Sequence, residues 1–143
     1  MKTMLPAGYC EHAHTADWEL EAWAPDLPAL LETAARGMYA ISGTRLAAGP
    51  RQAQSLALNA PDAESLLVKF LGELLWLAQQ DGLAFDTFDL DVQTGPDGML
   101  ALYAVLDGAP LAGCEKEIKA VTYHNLAIRS QAGRLEVNIV FDV

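Results

Sequence analysis

The sequence has few cysteines and few basic residues, and both shortages limit what the protein can do. Two cysteines, Cys10 and Cys114, are too few for a disulfide scaffold or a four-cysteine zinc site. Nine Lys and Arg stand against nineteen Asp and Glu, for a formal net charge of −10. Because nucleic-acid affinity comes mainly from Lys and Arg that displace counterions from phosphates, we expect no direct nucleic-acid binding. The acidic balance favours a divalent cation or a basic protein surface as partner.

Long apolar runs are also missing. The most apolar stretch, residues 65–78, is interrupted by Lys69 and Glu73 and is too short to cross a bilayer. The first ten residues contain one lysine and no apolar segment of signal-peptide length. We therefore expect a cytoplasmic protein with reduced thiols and no membrane partner. The apolar fraction of 52% predicts a packed core, in one domain that spans residues 1–143.

Local patterns predict both helices and strands. Residues 18–23 (WELEAW) alternate as a half-buried strand does. Asp26 is placed to cap a helix that ends at Gly43. Pro61 is placed to open a second, strongly apolar helix, which Asp81-Gly82 closes. Further strands are predicted over residues 52–58, 85–92, 99–106, 120–128 and 135–143. The result is an α+β fold in a single domain, with two main helices packed on a largely antiparallel β-sheet.

The last strand combines an apolar face with a polar end. Val137, Ile139 and Phe141 share one face of the strand. Asp142 then places a side-chain carboxylate one residue from Val143, whose carboxylate we expect to end the chain. Two or three oxygens at the end of a strand form a half-site for a hard cation.

Four blocks of the sequence together resemble the archease family. They are HTADWELEAWA (His14–Ala24), ESLLVKFLGELLWL (Glu64–Leu77), EIKAVTYHNL (Glu117–Leu126) and VNIVFDV (Val137–Val143). The blocks occur in the family's order and cover nearly the whole chain. The HTAD block alone has little specificity, but its combination with AVTYH and a final FDV at these separations is specific.

The resemblance implies a function in RNA ligation. Archeases assist RtcB-type RNA ligases in tRNA splicing and RNA repair, where they promote guanylylation of the ligase and its repeated turnover. The resemblance therefore implies an RtcB-type ligase as partner and a protein that is not itself an enzyme. It also implies a metal site, associated with calcium, that uses Asp17, Asp142 and an oxygen of Val143. Lys119 of the AVTYH block is implicated in function, and His14 is expected to orient the turn that holds Asp17.

Three positions depart from the family pattern. Ala13 stands where an acidic residue usually precedes the HTAD histidine. In the second helix, Lys69 replaces a common acidic residue and Gly72 replaces a common asparagine. The departures leave open an auxiliary ligand at position 13 and the polar surface of that helix.

Lys119 and the three tryptophans also have ordinary structural interpretations. Lys119 lies where the strand alternation changes phase, which predicts a bulge or an irregular strand start, and it is otherwise a surface lysine. Trp18, Trp23 and Trp76 are predicted at the core or its edge rather than as stacking platforms for bases.

Other metals and other functions remain as alternatives. Cys10, His12 and His14 would point the same way on an extended chain and could bind zinc with His124 or Cys114. Their Cα spacing, roughly 6–7 Å along a strand, disfavours that site, and the oxygen ligands favour calcium, magnesium or manganese. The functional alternatives are an acidic chaperone or adaptor and a small metallo-hydrolase, although the latter has no evident general base.

Overall fold

The structure, a computed structural model, describes residues 6–13 and 17–143, the side chains of residues 13 and 17 excepted. Its two principal helices are α1 (Leu27–Ile41) and α2 (Ala63–Asp81). The strands along this part of the chain are β1 (Gly8–Ala13), β2 (Asp17–Ala24), β3 (Arg45–Leu46), β4 (Gln52–Ala60), β5 (Leu83–Thr94), β6 (Leu100–Gly113), β7 (Ala120–Val121), β8 (Arg129–Gln131) and β9 (Arg134–Asp142).

Each helix begins at an aspartate that caps it. The Asp26 carboxylate accepts the backbone N–H of Ala29 at 2.9 Å, as the sequence predicts. The Asp62 carboxylate accepts the backbone N–H of Ser65 at 2.7 Å. The helix begins at Ala63, two residues after Pro61, so the prediction that Pro61 opens α2 is wrong: the Asp62 carboxylate satisfies a free N–H, and the proline only precedes this cap.

The C-terminal ends of the helices follow the glycines. Gly82 adopts a φ of 62°, the left-handed conformation that glycine reaches without strain, and its N–H bonds to the last turn of α2. Helix α1 is closed by Ser42, whose N–H donates to the Met38 carbonyl, and by Gly43, which has a φ of 65° and an N–H that donates to the Ala40 carbonyl. Both predicted ends are confirmed.

The strands form two antiparallel sheets where the sequence predicts one. The first sheet has the order β1-β2-β9-β7, with β8 also paired to β9. In the second sheet, β6 pairs with β3, β4 and β5. Helix α1 contacts β1, β2 and β9 of the first sheet and β5 of the second, whereas α2 contacts β4, β5 and β6 of the second and β7 of the first. The α+β prediction is confirmed, with the helices joining the two sheets.

The core draws on both helices and both sheets. Val137, Ile139 and Phe141 of β9 are fully buried, which confirms the predicted apolar face of the last strand. The largest fully buried side chains are Leu20, Leu30, Leu31, Met38, Leu66, Leu67, Phe70, Leu71, Leu74, Phe85, Leu102 and Phe141. Burial of a leucine or phenylalanine side chain contributes about 1.5–3 kcal/mol relative to exposure, so this cluster stabilises the joined sheets.

The predicted strand over residues 120–128 is largely wrong. Only Ala120 and Val121 pair with β9, and the chain then turns. The backbone N–H and the hydroxyl of Thr122 both donate to the carbonyl of Val140 at 3.0 Å, and Asn125 has a φ of 52°. A threonine that bonds across the strand end and a left-handed asparagine stop the ladder although the residues favour β-structure.

The tryptophans differ in environment. Trp18 is half-buried and Trp23 is only 4% exposed, as predicted. Trp76 is 53% exposed, so the prediction of a core position is wrong there. It lies on α2 between Leu74 and Leu77, both buried, and the rotation of the helix turns it to the other face. In the region described, neither helix combines the length and apolarity needed to cross a membrane.

Candidate metal centre

The pairing of β2 with β9 brings two aspartates to one end of the first sheet. Asp17, the first residue of β2, is the register partner of Asp142, the last residue of β9. Partner residues of antiparallel strands have Cα atoms about 4.5–5.5 Å apart. Like charges placed directly opposite in a sheet are destabilising, so this position favours a compensating cation.

A third strand brings Lys119 to the same end. The register of β7 with β9 pairs Ala120 with Asp142, and the backbone N–H of Lys119 donates to the Asp142 carbonyl at 2.8 Å. The pairs Ala120–Asp142 and Val121–Phe141 follow one another without a register shift. Lys119 directly precedes β7 and does not lie in a bulge of its ladder with β9, and its side chain is exposed.

The donor chemistry at this end fits a hard cation. Asp142 is exposed, and its main-chain oxygen accepts the Lys119 N–H. The side-chain carboxylate is therefore the group that Asp142 offers to a ligand. Val143 follows directly, with its side chain packed against the core. A carboxylate oxygen is a ligand that suits calcium, magnesium or manganese better than zinc.

His14 lies outside the described residues, as do residues 15 and 16. Ala13 is described by its backbone, which pairs with Trp18 in the β1–β2 ladder. The roles predicted for His14 and for an auxiliary ligand at position 13 therefore stay predictions.

The residues of the alternative zinc site lie in different places. His12 Nε2 is 3.3 Å from Glu21 Oε1, and Cys10 is exposed on the same strand. Cys114 is exposed beyond β6, with its Sγ 3.5 Å from the Ser42 carbonyl. No three His, Cys, Asp or Glu side chains come together among those described, a statement that does not extend to residues 13–17.

Sequence reasoning missed a polar cluster on the outer face of the first sheet. Arg134 Nη2 lies 2.7 Å from Glu136 Oε2, and the Arg134 guanidinium lies over the Trp23 ring at 5.5 Å. Asn138 Nδ2 donates to Glu19 Oε2 at 2.6 Å. The sequence did contain a sign of this cluster. Trp23 and Glu19 are an even number of positions apart in β2, so they lie on the same face of the strand.

Comparison with known proteins agrees with this architecture. A sequence profile of the Archease protein family matches residues 9–143. The chain belongs to the archease family. Archease from Methanosarcina barkeri is 34% identical over 135 residues, covering 91% of this chain and 92% of that protein. Archease from Methanosarcina mazei is 33% identical over 135 residues, with the same coverage.

Two solved structures share the archease fold. The solution structure of protein 1598 from Methanobacterium thermoautotrophicum aligns with a TM-score of 0.74 at 24% identity, covering 95% of this chain and 99% of that one. A crystal structure from Thermotoga maritima, described as an archease and possible chaperone, aligns with a TM-score of 0.61 at 22% identity, covering 100% and 98%.

The two helical departures from the archease pattern lie on α2. Lys69 Nζ donates to the Asn59 carbonyl at 2.7 Å, so it ties α2 to β4. Gly72 has open space where a Cβ would be. Lys69 thus has a structural use in this chain, and Gly72 is not required by packing.

Proposed function

We propose that this archease activates an RtcB-type RNA ligase in tRNA splicing or RNA repair by promoting ligase guanylylation and multiple turnover. The activity would depend on a divalent cation, calcium first, held by Asp17, Asp142 and an oxygen of Val143. The observation that carries the proposal is the register that pairs Asp17 with Asp142. Membership of the archease family supports the ligase as partner.

The chemistry assigned to the chain is positioning rather than bond making. The bound cation would supply concentrated positive charge at the end of the first sheet. Asp17 and Asp142 would hold it, and the exposed Lys119 ammonium could contact a phosphate or an acidic group of the partner. Under this proposal the chain supplies no nucleophile or general base of its own.

The charge of the chain supports a protein partner that is basic. A ligase that binds RNA must carry positive charge around its substrate, and this chain has a formal net charge of −10. Complementary charge steers association and raises its rate. Direct binding of RNA by this chain is not part of the proposal.

The test is a guanylylation assay with the ligase of the same organism and catalytic amounts of this protein. Asp17→Asn and Asp142→Asn should each abolish the stimulation and the calcium binding measured by calorimetry. Asp81→Asn, which removes one exposed carboxylate at the end of α2, is the matched control and should retain both. Full stimulation by either of the first two variants would refute the metal site.

The role of Val143 can be tested separately. Val143→Leu retains the backbone and the apolar side chain, so it should leave stimulation intact. With residues added after Val143, position 143 offers only a neutral main-chain carbonyl, which should bind calcium more weakly than a carboxylate, because hard cations prefer charged oxygens. Equal calcium affinity of the extended and unextended proteins would remove Val143 from the site.

A metal-independent chaperone or adaptor is the second candidate. The description of the Thermotoga maritima relative as a possible chaperone favours it. A chelator distinguishes the two candidates. Ligase stimulation would be lost in its presence under the first proposal, whereas binding of the partner protein would be unchanged under the second.

A further inference from the structure

The second sheet has one packed face and one open face. Leu102, Ala104 and Leu106 of β6 are buried in the core shared with the helices. The residues between them are turned to the other side. We call this surface the open face and define it by the side chains of Ser55, Ala57, Asp89, Asp91, Tyr103 and Val105.

The register orders these side chains in two rows across the sheet. Tyr103 is paired with Ala57 on β4 and with Asp91 on β5. In the next row, Val105 is paired with Ser55 on β4 and with Asp89 on β5. Each row therefore runs from a small residue through a large apolar one to a carboxylate.

The rows form a shallow groove with an apolar floor. Tyr103 and Val105 are each 53% exposed, although both lie on the central strand of the sheet. The small Ser55 and Ala57 side chains leave room beside them, and the groove over the six residues has a volume of about 470 Å³. Because the opposite face is packed into the core, the backbone that carries these side chains is held in place.

The acidic side of the groove is not neutralised by Arg51, whose ion pairs are with other carboxylates. Arg51 Nη2 is bonded to Asp86 at 2.6 Å and to Asp107 at 3.2 Å, and these two bonds raise the pKa of the guanidinium further. No Lys, Arg or His described in the structure forms an ion pair with Asp89 or Asp91. Two carboxylates, roughly 6–7 Å apart along the strand, therefore border an exposed aromatic ring.

We propose that the open face docks a basic segment of a partner protein. Arginine side chains of that segment would stack on Tyr103 and pair with Asp89 and Asp91, and an apolar side chain between them would cover Val105. Arginine suits such a site because its planar guanidinium pairs with carboxylates and stacks on aromatic rings at once. The inference goes beyond the proposed function, since the site lies on the second sheet and the cation site lies on the first.

Charge complementarity selects this occupant. A second copy of the chain would carry the same net charge of −10, so its approach would bring two acidic faces together at the cost of like-charge repulsion. A nucleic acid would be repelled for the same reason. A basic protein segment gains both from the carboxylates and from the apolar floor.

The test uses a short peptide that alternates arginine and leucine as the probe, titrated into isotope-labelled protein. Amide shifts in the nuclear magnetic resonance spectrum should concentrate on β6 around Tyr103 and Val105 and on β5 around Asp89 and Asp91. The double variant Asp89→Asn with Asp91→Asn should weaken peptide binding about tenfold, and Tyr103→Ser about fivefold. Circular dichroism should show that both variants remain folded, because the substituted side chains are exposed.

The matched control removes two carboxylates elsewhere. Glu11→Gln with Asp81→Asn changes the net charge equally, at exposed positions on β1 and α2. It should weaken peptide binding by less than about twofold, through the general field alone. Equal losses in the two double variants, or amide shifts spread over the surface, would overturn the proposal. So would dimerisation of the free protein in sedimentation experiments with shifts at the same residues, which would assign the face to a second copy. None of these outcomes depends on ligase activation.

Discussion

Both sheets contact the two helices, but they differ in the side chains on their outer faces and at their ends. On the outer face of the first sheet, Glu136 is 5% exposed and bonded to Arg134, and the acids there have partners. Its polar end collects residues from distant parts of the chain, Asp17 and Asp142 among them. The second sheet buries Leu102, Ala104 and Leu106 of its central strand and leaves Tyr103 and Val105 open on the other side.

The two surfaces depend on strand pairings of different range in the sequence. The end of the first sheet exists only because β2 and β9 pair, although more than a hundred residues separate them in sequence. The open face of the second sheet is largely carried by the β5–β6 hairpin, which turns at Gly95–Gly98. We therefore expect backbone packing in the second sheet to have the largest effect on stability, and the end of the first sheet to act mainly through cation binding.

The largest effect on stability should come from Gly108, where β6 approaches the backbone of β5 closely. A Cβ at Gly108 would collide with the Ala84 carbonyl oxygen and would lie 2.7 Å from the Phe85 Cα. Gly108→Ala should lower the free energy of unfolding by about 3 kcal/mol, measured by urea denaturation, because the neighbouring atoms are backbone and cannot move aside. Gly72→Ala, in open space on α2, is the control and should gain about 0.5–1 kcal/mol. Equal stability of the two variants would contradict the close packing of β6 against Ala84 and Phe85.

Calcium should act on the first sheet with a slightly smaller effect. At a concentration about a hundredfold above its Kd, a cation that binds only the folded state adds about 2.7 kcal/mol of stability. Asp142→Asn should abolish this gain in thermal denaturation with calcium. Without calcium the same variant should be as stable as the wild type or more so, because one of two opposed like charges is gone. A loss of stability without calcium would instead assign Asp142 a structural role.

Arg134 on the first sheet and Arg36 on α1, beside the second sheet, form a matched pair. Each binds a carboxylate and lies over an aromatic ring, Arg134 with Glu136 and Trp23, Arg36 with Glu32 and Phe88. Arg134→Ala should cost about 2 kcal/mol, because its carboxylate is buried. Arg36→Ala should cost about 0.5 kcal/mol, because both groups of its ion pair are exposed to solvent. Comparable losses in chemical denaturation would show that burial of Glu136 does not matter.

The smallest effect concerns the cap that sets α2 against the second sheet. The hydrogen bond from the Ser65 backbone N–H, followed by one from its side chain, lowers the pKa of the Asp62 carboxyl. Since the folded-state pKa is the lower one, the cap stabilises the fold above the unfolded-state pKa and loses this contribution as pH falls through the folded-state value. The Tm difference between wild type and Asp62→Ala should be complete at neutral pH and should shrink below about pH 4. Asp62→Asn keeps an uncharged cap, so its Tm should fall less than that of Asp62→Ala at neutral pH.

Local chemistry in the sequence determined the helices and most turns. Asp26, Gly43 and the Asp81-Gly82 pair act on neighbouring backbone groups, so their effect can be predicted without knowledge of the rest of the chain. The same holds for the apolar face of β9, because strand alternation is a property of consecutive residues. The archease motifs likewise stand in the sequence itself.

Tertiary structure alone decided the division into two sheets, the exposure of Trp76 and the short length of β7. Each depends on which surfaces meet, and the Thr122 bond to the Val140 carbonyl shows how a distant strand can end a segment with strand-like composition. The pairing of Asp17 with Asp142 belongs to the same class. The sequence supplied two aspartates and a family resemblance, but their place opposite one another required the register of β2 and β9, which burial of Leu20 and Ile139 on the same face selects.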